Sequence, residues 1–183
     1  TEETRLALRD AFYFEPVPTV SRVVFLGTPH AGSPKANRPV GRLGTKLVDE
    51  PSSMNAIRNQ LLRDNPGAFT EEFERRIPTS IDLLRPESPL LQEMNCLKYS
   101  DSVRLHSIIG CGYYLVGSGD SDKVVPVTSA RISEVESERL IISKHTKINS
   151  NEKALEELYR ILECHLVEPR VSETGYVVGR LQE

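Results

Sequence analysis

Two residues in the C-terminal half could do chemistry together. Asp122, in Ser121-Asp122-Lys123-Val124-Val125-Pro126, and His145, in Ser143-Lys144-His145-Thr146, lie 23 residues apart, room for one strand and two loops. An imidazole can take up and return a proton near neutral pH. A carboxylate beside it fixes its tautomer and stabilises the cation that forms. Such a pair activates a hydroxyl nucleophile, which is weak on its own. Asp120 competes with Asp122, because Gly119-Asp120-Ser121-Asp122 offers two carboxylates. A further histidine, His30, sits in Gly27-Thr28-Pro29-His30-Ala31-Gly32-Ser33, a turn that ends an apolar run.

The hydroxyl itself is harder to find. A serine on a strained strand-to-helix elbow needs Gly-x-Ser-x-Gly, with glycines relieving the turn, and the sequence contains none. In Val116-Gly117-Ser118-Gly119-Asp120 the glycines are at the wrong positions, and Ser33 is followed by Pro34. Both read as turn serines. No metal site is expected: His106 and His165 lack partners at ligand spacing, and the acidic loop holds too few ligands for calcium. No cofactor is expected either. The three cysteines, Cys96, Cys111 and Cys164, are scattered and read as buried or half-buried thiols.

The elements that must position these residues alternate between strand and helix. Val20 to Leu26 is a short apolar run rich in β-branched residues, the pattern of a parallel strand covered on both faces. Val103 to Gly110 predicts a second strand, and Leu140-Ile141-Ile142 is the centre of a third. The expected strand spans are 22–27, 103–110 and 138–143. Asn151 to His165 predicts an amphipathic helix with Leu155, Leu158, Ile161 and Leu162 on its apolar face and Asn149 or Asn151 as its cap. Residues 34–98 differ, being polar and proline-bearing with short amphipathic pieces. Helices are predicted over Gly41 to Val48, over Ser53 to Arg63 with Met54, Ile57, Leu61 and Leu62 on one stripe, and over Pro89 to Leu97 with Ser88 as N-cap. Between the last two a polar loop is expected. A first helix, with Leu8 and Phe12 on one face, is ended by Pro16 and Pro18. At the other end, 166–183 reads as a tail, in which Gly175 to Gly179 could form a short strand.

Composition sets outer bounds. The 183 residues are 38% hydrophobic and 27% charged, with a net charge of −3. This is the make-up of one globular domain, with no basic face for a nucleic acid. No apolar run approaches the ~18 residues of a transmembrane segment. The start, Thr1-Glu2-Glu3-Thr4-Arg5, is not a secretory signal, and localisation is unreadable from it.

Taken in order, strand, Gly-Thr-Pro-His turn, cap-like segment, strand, Asp loop, strand, His loop and final helix resemble the lipase and esterase branch of the α/β-hydrolases. The resemblance covers roughly residues 20 to 165, and Phe25-Leu26-Gly27-Thr28-Pro29-His30-Ala31-Gly32-Ser33 and Ser121-Asp122-Lys123-Val124-Val125-Pro126 carry it most specifically. Thr79-Ser80-Ile81-Asp82-Leu83-Leu84 to Ser88-Pro89-Leu90-Leu91 is similar to that family's connection from lid to core. The resemblance implies a partial α/β-hydrolase fold over 1–183, with a mostly parallel sheet and a helical lid at 34–98. It points to Asp122 rather than Asp120 as triad acid, although Lys123 replaces the family's glycine. It also implies His145 as base, with Thr28, Pro29 and His30 lining the site and His30 in a structural role. The expected activity of an intact parent is hydrolysis of a carboxylic, lipid-like ester. The serine and the oxyanion hole are expected upstream of Thr1, and the chain alone is expected to be inactive. The strand at 22–27 would then expose an edge, predicting a homodimer or association with an N-terminal fragment. The other reading is a non-catalytic module acting in protein–protein interaction.

Overall fold

The computed structural model describes residues 19–37 and 52–167, together with Glu2, Arg5, Leu6, Arg9 and Val17. In the predicted first helix Glu2, Arg5, Leu6 and Arg9 are helical, while Leu8 and Phe12, the helix over Gly41 to Val48 and the tail beyond Val167 lie outside the described residues. The chain divides into two compact units: Thr1–Ser21 with Pro29–Tyr99, and Arg22–Thr28 with Ser100–Glu183.

The described part of the first unit is a short 3-10 turn (Pro34–Asn37) and four helices: α1 (Ser52–Asp64), α2 (Glu71–Arg75), α3 (Ser80–Leu83) and α4 (Pro89–Cys96). On α1, Ile57, Leu61 and Leu62 are half-buried as their spacing predicts; the side chain of Met54 lies outside the described set. The stretch expected to be a plain loop instead contains α2 and α3. Local hydrogen bonding explains α3: Thr79 caps it, its hydroxyl accepting from the Asp82 N–H while Asp82 Oδ2 accepts from the Thr79 N–H at 2.8 Å. The same buried carboxylate takes Arg76 at 2.6 Å and Arg85. The Arg76 guanidinium, foremost, holds Asp82 well below the usual carboxylate range. Ser88 occupies the N-cap position of α4, with Pro89 behind it, but its side chain makes no capping bond.

The second unit is of the α/β class. Strands β1 (Arg22–Leu26), β2 (Arg104–Cys111) and β5 (Ser137–Ile142) form a parallel sheet in the order β1-β2-β5, and β3 (Tyr113–Leu115) pairs with β4 (Gly119–Ser121) as a hairpin. Helix α5 (Val127–Ala130) follows the hairpin. A 3-10 helix (His145–Ser150) then leads into α6 (Glu152–Val167). Central strand β2 is buried from Leu105 to Gly110, and successive side chains serve opposite faces. On one face Ile108 packs with Ile141, Ile148, Ala154 and Val24; on the other, Ile109 packs with Val125, Val127 and Ala130. Each buried isoleucine contributes about 1.5–3 kcal/mol. Strand β1 is half-buried rather than covered on both faces, and Leu26 is exposed. It lies at the end of the sheet order, with β2 as its one described neighbour.

Helix α6 begins where expected, with Asn151 Oδ1 accepting from the Lys153 N–H at 3.0 Å. Its buried face is the expected one in part: Ile161 is fully buried and Leu158 half-buried. Ala154, Glu157 and Ile161 face inward, whereas Leu155 and Leu162 are exposed. The helix carries two adjacent apolar stripes. The buried one includes an acidic residue because Ser137 and Arg160 satisfy its carboxylate.

Candidate active site

The chemistry gathers at the C-terminal ends of the parallel strands, the side of an α/β sheet where loops are free to build sites. Asp122 follows β4 and His145 follows β5. Asp122 Oδ2 lies 2.7 Å from His145 Nδ1, and the His145 N–H donates to the Asp122 carbonyl at 2.9 Å. The carboxyl side chain is 1% exposed and the imidazole 34% exposed. One partner is therefore locked inside the protein while the other reaches solvent. Their hydrogen bond raises the His145 pKa above the usual histidine value, against an opposing effect of burial.

The acid loop is wound tightly to hold this carboxylate. Asp122 Oδ1 accepts from the N–H groups of Val124 (2.9 Å) and Val125 (2.7 Å), leaving Oδ2 for the imidazole. The chain doubles back through Lys123, the one described non-glycine residue at positive φ (79°). A side chain in this region costs about 1–2 kcal/mol. The Lys123 ammonium lies 4.7 Å from the centroid of the Tyr113 ring, an attraction that offsets part of that strain. Ser121 is fully buried; it accepts from the Lys123 N–H and donates to the Tyr113 carbonyl at 2.7 Å. Asp120 has a different place. Its Oδ1 accepts from the N–H groups of Gly112 and Ser121 at 2.7 and 2.8 Å, pinning the hairpin.

Two glycines form a cradle under the pair, and sequence reasoning missed that role. A Cβ on Gly110 would come within 2.6 Å of Asp122 Cβ and 3.0 Å of Ile148 Cδ1. On Gly27, at φ +58°, it would meet Ile148 Cδ1 at 2.6 Å, Asp122 Oδ2 at 3.3 Å and His145 Nδ1 at 3.4 Å. The available signal was positional: each glycine closes or follows an apolar strand.

The remaining expected site residues are divided between the units. Thr28 follows Gly27 in the second unit. Pro29 and His30 belong to the first, where the Pro29 carbonyl accepts from the Gly32 N–H at 3.0 Å and the His30 carbonyl from Asn95 Nδ2 at 2.6 Å. His30 is buried, and desolvation lowers its pKa. Ser33 Oγ accepts from the Lys35 N–H, and the Ser118 N–H closes the hairpin turn on Leu115. Among the described residues no serine hydroxyl is hydrogen-bonded to His145, and no group of His, Cys, Asp and Glu could hold a metal ion. No helix among them is long and apolar enough to cross a membrane. Comparison of the chain with protein-family models, curated proteins and solved structures finds no match.

Proposed function

We propose that Asp122 and His145 are the acid and base of a serine-hydrolase-type site of the lipase and esterase kind. The observation that carries this reading is a buried carboxylate 2.7 Å from Nδ1 of a solvent-reaching imidazole, at the C-terminal ends of parallel strands. With Nδ1–H held by Asp122, Nε2 is the basic nitrogen. It takes the proton of a serine hydroxyl as that oxygen attacks an ester carbonyl, then returns it to the departing alkoxide. The resulting acyl-enzyme is hydrolysed by water with the same nitrogen as base. Asp122 stabilises the imidazolium formed in between.

In this reading the serine and the oxyanion donors come from outside these 183 residues, on a strand that pairs with the edge of β1. Residues 34–98 correspond to the lid, where substrate selectivity resides. The substrate is a carboxylic, lipid-like ester. The absence of Gly-x-Ser-x-Gly favours a second reading, a non-catalytic module that uses the same edge to bind a protein or a second copy of the chain. A fluorophosphonate probe on the product of the complete reading frame separates the two. We expect labelling of a serine outside residues 1–183, lost in His145→Ala, and no labelling of the 183-residue chain. Labelling that survives His145→Ala overturns the proposal, and a folded, unlabelled full-length product supports the binding module.

A further inference from the structure

His106, 1% exposed on central strand β2, takes no part in the site above. It lies four residues before Gly110, about 13 Å along the strand. The roles of its two ring nitrogens are fixed by its neighbours. Arg22 Nη1 on β1 is 2.6 Å from Nε2, and a guanidinium can only donate. Nε2 therefore accepts, and Nδ1 carries the proton. Nδ1–H donates to Ser137 Oγ on β5 at 2.8 Å, and the Ser137 hydroxyl donates to Glu157 Oε1 on α6 at 3.1 Å. Glu157 also accepts from Arg160 Nη2 at 2.6 Å and Nε at 3.0 Å. The bonds run one way, from β1 through β2 and β5 to α6. Ser137 is consequently not an activated nucleophile, because the imidazole donates to it.

One added proton breaks the first bond of this chain. A protonated Nε2 has no lone pair for Arg22 and sets two cations side by side. The charged groups facing His106 are Arg22 from β1, Glu136 ahead of β5, and Glu157 and Arg160 from α6. Burial first, then Arg22, lower its pKa, while Glu136 and Glu157 oppose them. Glu136 is already shared by Arg22 at 3.6 Å and Arg104 at 3.2 Å, so it cannot neutralise a third cation fully.

We propose that Arg22–His106–Ser137–Glu157–Arg160 is an acid-operated latch, holding edge strand β1 to β2, β5 and α6 while His106 is neutral and releasing β1 when His106 takes a proton. The proposal is independent of the hydrolase reading. Its sign follows from the lowered pKa. The open form, with the imidazole in water, gains a proton at the ordinary value of 6.5, above that of the closed form. Above 6.5 the latch is complete. As pH falls from there towards the closed-form value, the opening constant rises by up to about tenfold per pH unit.

Amide hydrogen exchange on the intact chain tests this, read as protection factors so that intrinsic pH effects cancel. Protection of β1 amides should fall between neutral and mildly acidic pH while that of Leu140 and Ile141 in β5 holds. In His106→Gln, where the amide oxygen can accept from Arg22 but no proton is gained, the fall should vanish. Arg22→Gln, which keeps His106 buried but removes the like charge, should reduce the fall without abolishing it and keeps the test valid if the first variant does not fold. A pH-independent β1 in the wild type, an equal fall in β5, or an unchanged fall in either variant overturns the latch.

Discussion

Replacing Asp122 by asparagine and by alanine separates what its two oxygens do. Asparagine can keep both backbone bonds on Oδ1, from Val124 at 2.9 Å and Val125 at 2.7 Å, and loses only the charged bond to His145. A charge-assisted hydrogen bond contributes about 1.5–3 kcal/mol. Because the imidazole is 34% exposed, water screens the bond and about 1–2 kcal/mol is the expected loss. Alanine also strands the N–H groups of half-buried Val124 and buried Val125, at about 1–3 kcal/mol each, so its total is about 3–8 kcal/mol. That approaches the ~5–15 kcal/mol stability of a typical domain. Urea unfolding followed by circular dichroism gives both values, provided the slope with denaturant is unchanged. Two variants within about 0.5 kcal/mol of each other would refute the two-oxygen account. The pH dependence has a definite sign. The raised His145 pKa means that the ion pair's contribution is present below the ordinary 6.5 and is lost as pH rises through the folded value. The wild type's advantage over Asp122→Asn should therefore shrink towards alkaline pH. An advantage that grows with pH contradicts the assignment.

Gly110→Ala forces a methyl group to 2.6 Å from Asp122 Cβ and should cost about 1–3 kcal/mol, with a shifted His145 ring resonance; an unshifted ring means the cradle does not set the pair. At Lys123, glycine relieves the strain of φ 79° but loses the Tyr113 contact, so the two nearly cancel. Lys123→Ala, which keeps most of the strain without the contact, should fall below Lys123→Gly by about 1 kcal/mol in thermal unfolding, and the reverse order contradicts this. Asp82→Ala removes the reciprocal half of the α3 capping box and the carboxylate shared by Arg76 and Arg85, at about 2–4 kcal/mol. In the wild type the lowered Asp82 pKa makes that stability present above the ordinary 3.8 and lost as pH falls towards the folded value, which amide exchange in α3 can follow.

The strands were legible because their signal is simple. Strand β2 is buried on both faces from Leu105 to Gly110 and reads as a strand through Leu105, Ile108 and Ile109 although His106 and Ser107 interrupt its apolar run, and all three strands lie within a residue or two of the spans expected from sequence. The choice between Asp120 and Asp122 was not legible from the residues, since the two are a residue apart, one in the hairpin strand β4 and one just after it; only the fold sends one carboxylate to Gly112 and the other to His145. Periodicity held in part on α6: it found Ile161 and Leu158, but Leu155 and Leu162 lie on a neighbouring apolar stripe that is exposed. The buried stripe contains Glu157, whose partners Ser137 and Arg160 cannot be foreseen from spacing. Short α3 was missed because a capping box, not an apolar stripe, forms it. The left-handed Lys123 was legible only as a departure: a lysine where the turn favours glycine.

The most direct measurement is the protonation of His145 itself, from its ring nitrogen-15 shifts across pH. If Asp122 orients a base for a hydroxyl nucleophile, the neutral ring carries its proton on Nδ1 with Nε2 bare, and it titrates above 6.5 in the wild type and lower in Asp122→Asn. A neutral ring protonated on Nε2, or a titration that Asp122→Asn leaves unmoved, would contradict the acid–base pairing.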